Sequence, residues 1–233
     1  MTEQEWDNRD VPGPLLAFVR RRASARKLRL FACACGYRLW HLFEDKRSRK
    51  AVSGAERYAD GLVSDRELRA VCDAANAAYQ RRWRPADMHV SDREEPSPAA
   101  FVAVCIASAE PFGYLSQIPG STFLDYVVAA RLAGDPELNH QAEWRALTDL
   151  LRDIVGNPFR TATADPAWLS WNAGTVVSLA SSIYEDRRFE ELPVLGDALE
   201  EAGCTEEAIL SHCHGIAEHV RGCWVLDLIL RRK

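Results

Sequence analysis

The segment KLRLFACACGYRLWHLF, residues 27–43, has a strong helical pattern. Its apolar residues recur at steps of three and four, at Leu28, Phe31, Cys35, Leu39 and Leu42. An α-helix completes a turn in 3.6 residues, so this spacing places them on one face. Further apolar residues widen that face. We therefore expect a helix that is buried around much of its circumference.

Signals for the start and the end of helices recur along the rest of the chain. The sequence SDRE at 64–67 has the spacing of a capping box, and Asp-Pro at 135–136 and at 165–166 pairs an N-cap with a proline suited to the first turn. Sustained alternation of apolar and polar residues, which is typical of half-buried strands, is absent from the sequence. We predict an all-α fold, either a compact multi-helix bundle or an irregular helical array.

The predicted domain organisation is simple. We expect a single helical domain over residues 14–233. Residues 1–13 are acidic and polar and are predicted to be a flexible lead-in. Residues 83–98 are polar and contain three prolines, which predicts an exposed internal loop.

The composition is that of a globular protein, with 47% hydrophobic and 27% charged residues and a net charge of −5. The N-terminal residues lack the basic start and apolar core of a signal peptide, and no apolar run reaches the roughly 18 residues of a membrane helix. Seven cysteines is an odd number. Without an export signal we expect reduced thiols, a cytoplasmic location and no membrane partner.

Charge is distributed unevenly. Residues 20–50 contain eleven basic residues against two acidic ones, and residues 185–207 contain nine acidic residues against two basic ones. These two surfaces either attract one another or are solvated separately. Alternatively, the basic segment binds an acidic partner, which would be another protein or a nucleic acid. The predicted partner-binding residues are Arg20, Arg21, Arg22, Arg26, Lys27 and Arg29.

Two parts of the sequence resemble a known protein family. KLRLFACACGYRLWHLFEDKRSRKAVSGAERYADG (27–61) and LLRDIVGNPFR (150–160), with LPVLGDALEEAGC and HVRGCWVLDLIL later in the chain, are similar to an uncharacterised helical family of bacterial proteins. Members often carry a further cysteine directly after the CAC triplet, where this chain has Gly36. The resemblance implies a shared helical fold and no activity.

Residues 192–230, LPVLGDALEEAGCTEEAILSHCHGIAEHVRGCWVLDLIL, hold three of the seven cysteines and three of the six histidines. His219 and Cys223 are four residues apart and would share a face of a helix. A third ligand could fold back from just before the turn at Gly215. This predicts a zinc site, catalytic if three ligands leave it open and structural if four close it. The candidate ligands are Cys213, His219 and Cys223, with His212 and His214 as alternatives for the first.

A structural interpretation of the same segment stays open. Cys223 and Trp224 could begin a buried final helix, with His219 hydrogen-bonded near its start. Cys33 and Cys35 point about 200° apart on a helix, which indicates buried core residues rather than ligands of one ion.

Known catalytic motifs are absent from the sequence. There is no glycine-rich phosphate loop, Gly-x-Ser-x-Gly, His-Glu-x-x-His or Cys-x-x-Cys-His. His219, Cys223 and Asp227 do not form a nucleophilic trio, because the histidine must stand between nucleophile and acid. The favoured function is a non-enzymatic interaction or regulatory module, with zinc binding as the alternative. An active site of residues scattered over several helices stays open.

Overall fold

The structure, a computed structural model, describes residues 1–81, 97–112, 122–135 and 137–232. Within these ranges the regular secondary structure is helical throughout, which confirms the predicted all-α fold. In chain order the α-helices are α1 (Glu3–Asn8), α2 (Pro12–Val19), α3 (Ala25–Arg38), α4 (Lys46–Ala59), α5 (Asp65–Arg81), α6 (Pro98–Ala107), α7 (Phe123–Gly134), α8 (His140–Val155), α9 (Pro166–Ser170), α10 (Thr175–Asp186), α11 (Leu192–Glu201), α12 (Glu207–Cys213) and α13 (Trp224–Ile229). Of these, none is both long enough and apolar enough to cross a bilayer.

The chain divides into two compact units. The terminal unit consists of Met1–Arg9, Pro14–Lys27 and Thr148–Lys233. The central unit consists of Asp10–Gly13 and Leu28–Leu147.

The central unit is built on close helix contacts. Helices α4, α5 and α6 pack against one another, and α6 also packs against α7. A Cβ atom at Gly36 of α3 would lie 2.5 Å from the Cδ1 atom of Ile106 and 3.1 Å from a methyl group of Val52. Glycine thus lets α3 approach α4 and α6. Any residue with a Cβ atom at this position would require these neighbours to move.

In the terminal unit, α10 packs against α9, α11 and α13, and α12 packs against α11 and α13. The buried core includes Tyr184, Leu195, Cys213 and Leu226.

The first residues of the chain differ from the predicted flexible lead-in. Thr2 caps α1 with a capping box, and Trp6 is only 1% exposed. The guanidinium of Arg152 donates hydrogen bonds to the carbonyl oxygens of Trp6, Asp7 and Arg9. Capping, burial and these bonds together order α1.

Most helix boundaries follow the sequence signals. The capping box at 64–67 begins α5, and Asp165 caps α9. Helix α8 begins four residues later than Asp-Pro at 135–136 suggested, because Asn139 accepts a hydrogen bond from the backbone N–H of Ala142. Of the predicted loop at 83–98, residues 83–96 lie outside the described residues, whereas Ser97 caps α6 and Pro98 begins it.

Candidate metal centre

Three segments of the terminal unit bring four potential metal ligands together. Asp153 lies in the last turn of α8, and His212 lies in the last turn of α12. His219 and Cys223 belong to the irregular segment that connects α12 to α13, in which Cys223 is the N-cap of α13. Gly156 ends α8 with a φ of +72°, a backbone conformation that favours glycine.

The four ligand atoms all lie within 4.8 Å of one another. Asp153 Oδ1 is 2.6 Å from His219 Nδ1 and 3.2 Å from His212 Nε2. His212 Nε2 is also 3.1 Å from the Sγ atom of Cys223. The backbone N–H of Val220 donates to the second oxygen of Asp153 at 3.0 Å, which fixes the orientation of the carboxylate.

The environment shifts two of these groups in opposite directions. Burial opposes ionisation of Asp153, but hydrogen bonds from His212 and His219 outweigh it and lower the pKa of the carboxyl group. Burial raises the pKa of the Cys223 thiol well above its usual value, and the charge of Asp153 raises it further. The thiol is therefore protonated at neutral pH unless a bound cation displaces its proton.

Hydrogen bonding indicates which ring nitrogen of each imidazole carries a proton. Trp224 Nε1 donates to His212 Nδ1 at 3.1 Å, so the proton of a neutral His212 resides on Nε2. The Nδ1 atom of His219 faces the Asp153 carboxylate and must donate to it. The Nε2 atom of His219 is buried and has no hydrogen-bond partner among the residues that the structure describes.

A cysteine nucleophile does not fit this arrangement. His212 Nε2 carries a proton and so cannot accept the one on Cys223. The thiol is fully buried, with 0% exposure. Asp227, the acid of the trio rejected from the sequence, forms ion pairs with Arg26 and Lys27 instead.

The cluster borders a surface depression of about 420 Å³. Asp153, His212 and Trp224 line it, together with Ser211 and Arg152. The depression offers an ion or a small solute a route to the carboxylate and to one imidazole.

No family model matches the sequence, and comparisons with curated proteins and with solved structures find no match. The similarity to a bacterial helical family therefore stays an interpretation of the sequence. Any function for the cluster has to be argued from its geometry.

Only some of the predicted zinc ligands lie in the group of four. His219 and Cys223 belong to the group of four, but they precede α13 rather than sharing a face of a helix. His212, an alternative ligand in the sequence analysis, also belongs to it. Cys213 lies in the hydrophobic core outside the group, where burial raises the pKa of its thiol to about 12. His214 lies on the surface, near Asp197 and Glu200.

Asp153 was not singled out from the sequence. A usable signal exists, because on α8 Asp153 is three residues from Leu150 and adjacent to Ile154, both of which are buried. An acid at the edge of a buried stripe needs a partner. Neither the spacing of apolar residues in α8 nor the spacing of His212, His214 and His219 identifies that partner.

Three of the six predicted partner-binding residues are partly or wholly buried and make bonds within the chain. Arg26 forms a two-point ion pair with Asp227, at 2.7 and 3.0 Å. The ammonium group of Lys27 lies 2.6 Å from the same carboxylate and donates to two backbone carbonyl oxygens. Arg29 is buried and donates to three carbonyl oxygens. Three of the predicted residues are exposed, namely Arg20, Arg21 and Arg22.

Proposed function

We propose that this protein binds one zinc ion through Asp153, His212, His219 and Cys223. The supporting observation is the convergence of four donor atoms from three chain segments within 4.8 Å. Two imidazole nitrogens, one sulfur and one carboxylate oxygen form a mixed donor set that suits zinc better than magnesium or calcium, which prefer oxygen.

The distances within the cluster suit a small tetrahedral ion after a modest expansion. Zinc bonds of about 2.0–2.3 Å place neighbouring ligand atoms roughly 3.3–3.8 Å apart in a tetrahedron. The observed separations of 2.6, 3.1 and 3.2 Å are those of hydrogen bonds. The ion replaces the shared protons, so the donors move apart by up to about 1 Å.

Four protein ligands complete the tetrahedral coordination of zinc, which is the pattern of a structural site. The ion would tie α8 to α12 and to the segment before α13. The N–H of Val220 donates to the oxygen of Asp153 on the far side from His219, and such hydrogen bonds to liganding groups orient the ligands in zinc proteins. The depression beside Asp153 and His212 supplies the entry path that a buried site needs.

Elemental analysis tests the proposal. The chain is expressed without a histidine tag, passed over a weak chelator and analysed for metal. We expect about one zinc ion per chain. Loss of a residue that only hydrogen-bonds to a ligand weakens metal binding by about 10–100-fold. Because His219→Ala and Cys223→Ser remove ligands themselves, each should weaken zinc binding by more than that.

Cys213→Ser is the matched control, because it also removes a fully buried thiol of the terminal unit but lies outside the group. It should retain zinc. Circular dichroism of each variant separates loss of the ion from loss of the fold. A folded wild-type protein without affinity for zinc would refute the proposal, and so would equal loss of zinc in Cys213→Ser and Cys223→Ser.

Binding of another macromolecule by the basic segment stays a prediction. Its test is the affinity for a short DNA duplex measured against salt concentration, since contacts to phosphates weaken steeply as salt rises. Replacing Arg20, Arg21 and Arg22 with Ala together should abolish that dependence. An affinity that does not change with salt would count against nucleic-acid binding.

A further inference from the structure

We infer that Trp224 is a positioning residue that lowers the zinc affinity of this site, because its indole N–H holds His212 in the tautomer whose Nε2 atom, the one facing the site, is protonated and cannot bind the ion. This inference rests on the proposed function. It adds a residue that does not touch the ion but acts through one that does.

The hydrogen bond between Trp224 and His212 decides which nitrogen of His212 carries the proton. Trp224 Nε1 lies 3.1 Å from His212 Nδ1, and the two rings have centroids 5.1 Å apart. An indole N–H can only donate. Nδ1 must therefore present its lone pair, and the proton of the neutral ring stands on Nε2. That nitrogen faces Asp153 and Cys223, where the ion would bind.

Zinc binding at His212 Nε2 requires its proton to move to Nδ1. There it would meet the indole N–H, and two donors 3.1 Å apart cannot form a hydrogen bond. Binding therefore breaks the bond to Trp224 and turns one of the rings aside. His219 has no such obstacle, because within the described part of the chain its Nε2 atom has no hydrogen-bond partner and can take the proton from Nδ1.

The surroundings of Trp224 hold its ring in place on one side and leave room on another. A Cβ atom at Gly156 would lie 3.0 Å from the indole Cγ atom, so this glycine admits the ring. Trp224 and His212 both line the depression, which gives the indole space to turn.

The test compares wild type with Trp224→Phe, which keeps an aromatic ring and removes the N–H. Zinc dissociation constants are measured by competition with a chromophoric chelator. We expect Trp224→Phe to bind zinc about tenfold more tightly, the effect of one hydrogen bond that no longer has to be broken. Trp168→Phe, which changes a buried tryptophan of the same unit, should leave the affinity unchanged.

Nitrogen-15 NMR of the histidine rings in metal-free wild type gives an independent readout. His212 should show a protonated Nε2 and an unprotonated Nδ1, and Trp224→Phe should relax this preference. Zinc binding with equal constants in wild type and Trp224→Phe, or a protonated Nδ1 in wild type, would overturn this inference and leave the proposed function standing. Failure of wild type and Trp224→Phe alike to bind zinc would instead overturn the proposed function, and this inference with it.

Discussion

Asp227 is buried and pairs with Arg26 and Lys27, two residues that the sequence analysis predicted to bind a partner. It accepts two hydrogen bonds from Arg26 and forms an ion pair with Lys27. Burial lowers the pKa of Lys27, and the charge of Asp227 opposes that shift. Two partly buried cations thus depend on one carboxylate.

Replacing Asp227 with Asn should therefore be strongly destabilising, because it leaves Arg26 and Lys27 buried without a counter-charge. We expect a loss of about 3–5 kcal/mol in the free energy of unfolding. Arg21→Ala, at an exposed position, should change it by less than about 0.5 kcal/mol. Urea unfolding monitored by circular dichroism measures both. Near-equal stability of Asp227→Asn and wild type would contradict the pairing.

Gly156 and Gly61 form a matched pair, because both have a φ of +72° and only Gly156 faces a neighbour, the ring of Trp224. Left-handed backbone costs a residue with a Cβ roughly 1–2 kcal/mol. Gly61→Ala should lose about that much stability. Gly156→Ala should lose more and should also shift the tryptophan fluorescence. Equal losses of stability in the two variants, with unchanged fluorescence, would show that the contact between residue 156 and Trp224 does not contribute to stability.

Helix α4 begins at an N-cap that couples its stability to pH. Asp45 accepts hydrogen bonds from the side chain and backbone N–H of Arg47, which lower its pKa from 3.8 to about 2. The folded state favours the ionised form, so this stabilisation is present above about pH 4 and is lost as the pH falls towards 2.

Asp45→Ala should reduce the free energy of unfolding by about 1 kcal/mol near neutral pH. The difference from wild type should shrink as the pH approaches 2. Thermal unfolding followed over this pH range measures both effects. A difference that is the same at every pH would mean that the charge of Asp45 contributes nothing.

Local signals account for the elements that the sequence located well. Apolar spacing indicates α3, a capping box begins α5, and Asp165 with Pro166 begins α9. The apolar pattern predicts a helix that continues to Phe43, whereas α3 ends at Arg38 and a 3₁₀ helix follows at Trp40–Leu42. The spacing of apolar residues indicates which residues are buried, but it does not distinguish an α-helix from a 3₁₀ helix.

The candidate site was harder to predict because it depends on contacts distant in sequence. From the sequence, the four-residue spacing of His219 and Cys223 predicts that they share one face of a helix. The fold brings them together in an irregular segment and adds Asp153, 66 residues before His219 along the chain.

The proposed ion would stabilise the two units of the chain unequally. All four ligands belong to the terminal unit. Zinc at 100 times its dissociation constant should stabilise that unit by about 2.7 kcal/mol. A chelator should therefore speed amide hydrogen exchange in α12 and the end of α8 and leave α4, α5 and α6 unchanged. Equal acceleration in both units would argue against a local structural ion.

X-ray absorption at the zinc edge of the zinc-loaded protein tests the central claim most directly, because it counts the sulfur ligands. We expect one sulfur at about 2.3 Å and three nitrogen or oxygen ligands at about 2.0–2.2 Å, with the sulfur lost in Cys223→Ser and kept in Cys213→Ser. Two sulfur ligands would assign the ion to a set containing both Cys213 and Cys223. Two sulfurs, or none, in the wild-type protein would contradict a site formed by Asp153, His212, His219 and Cys223.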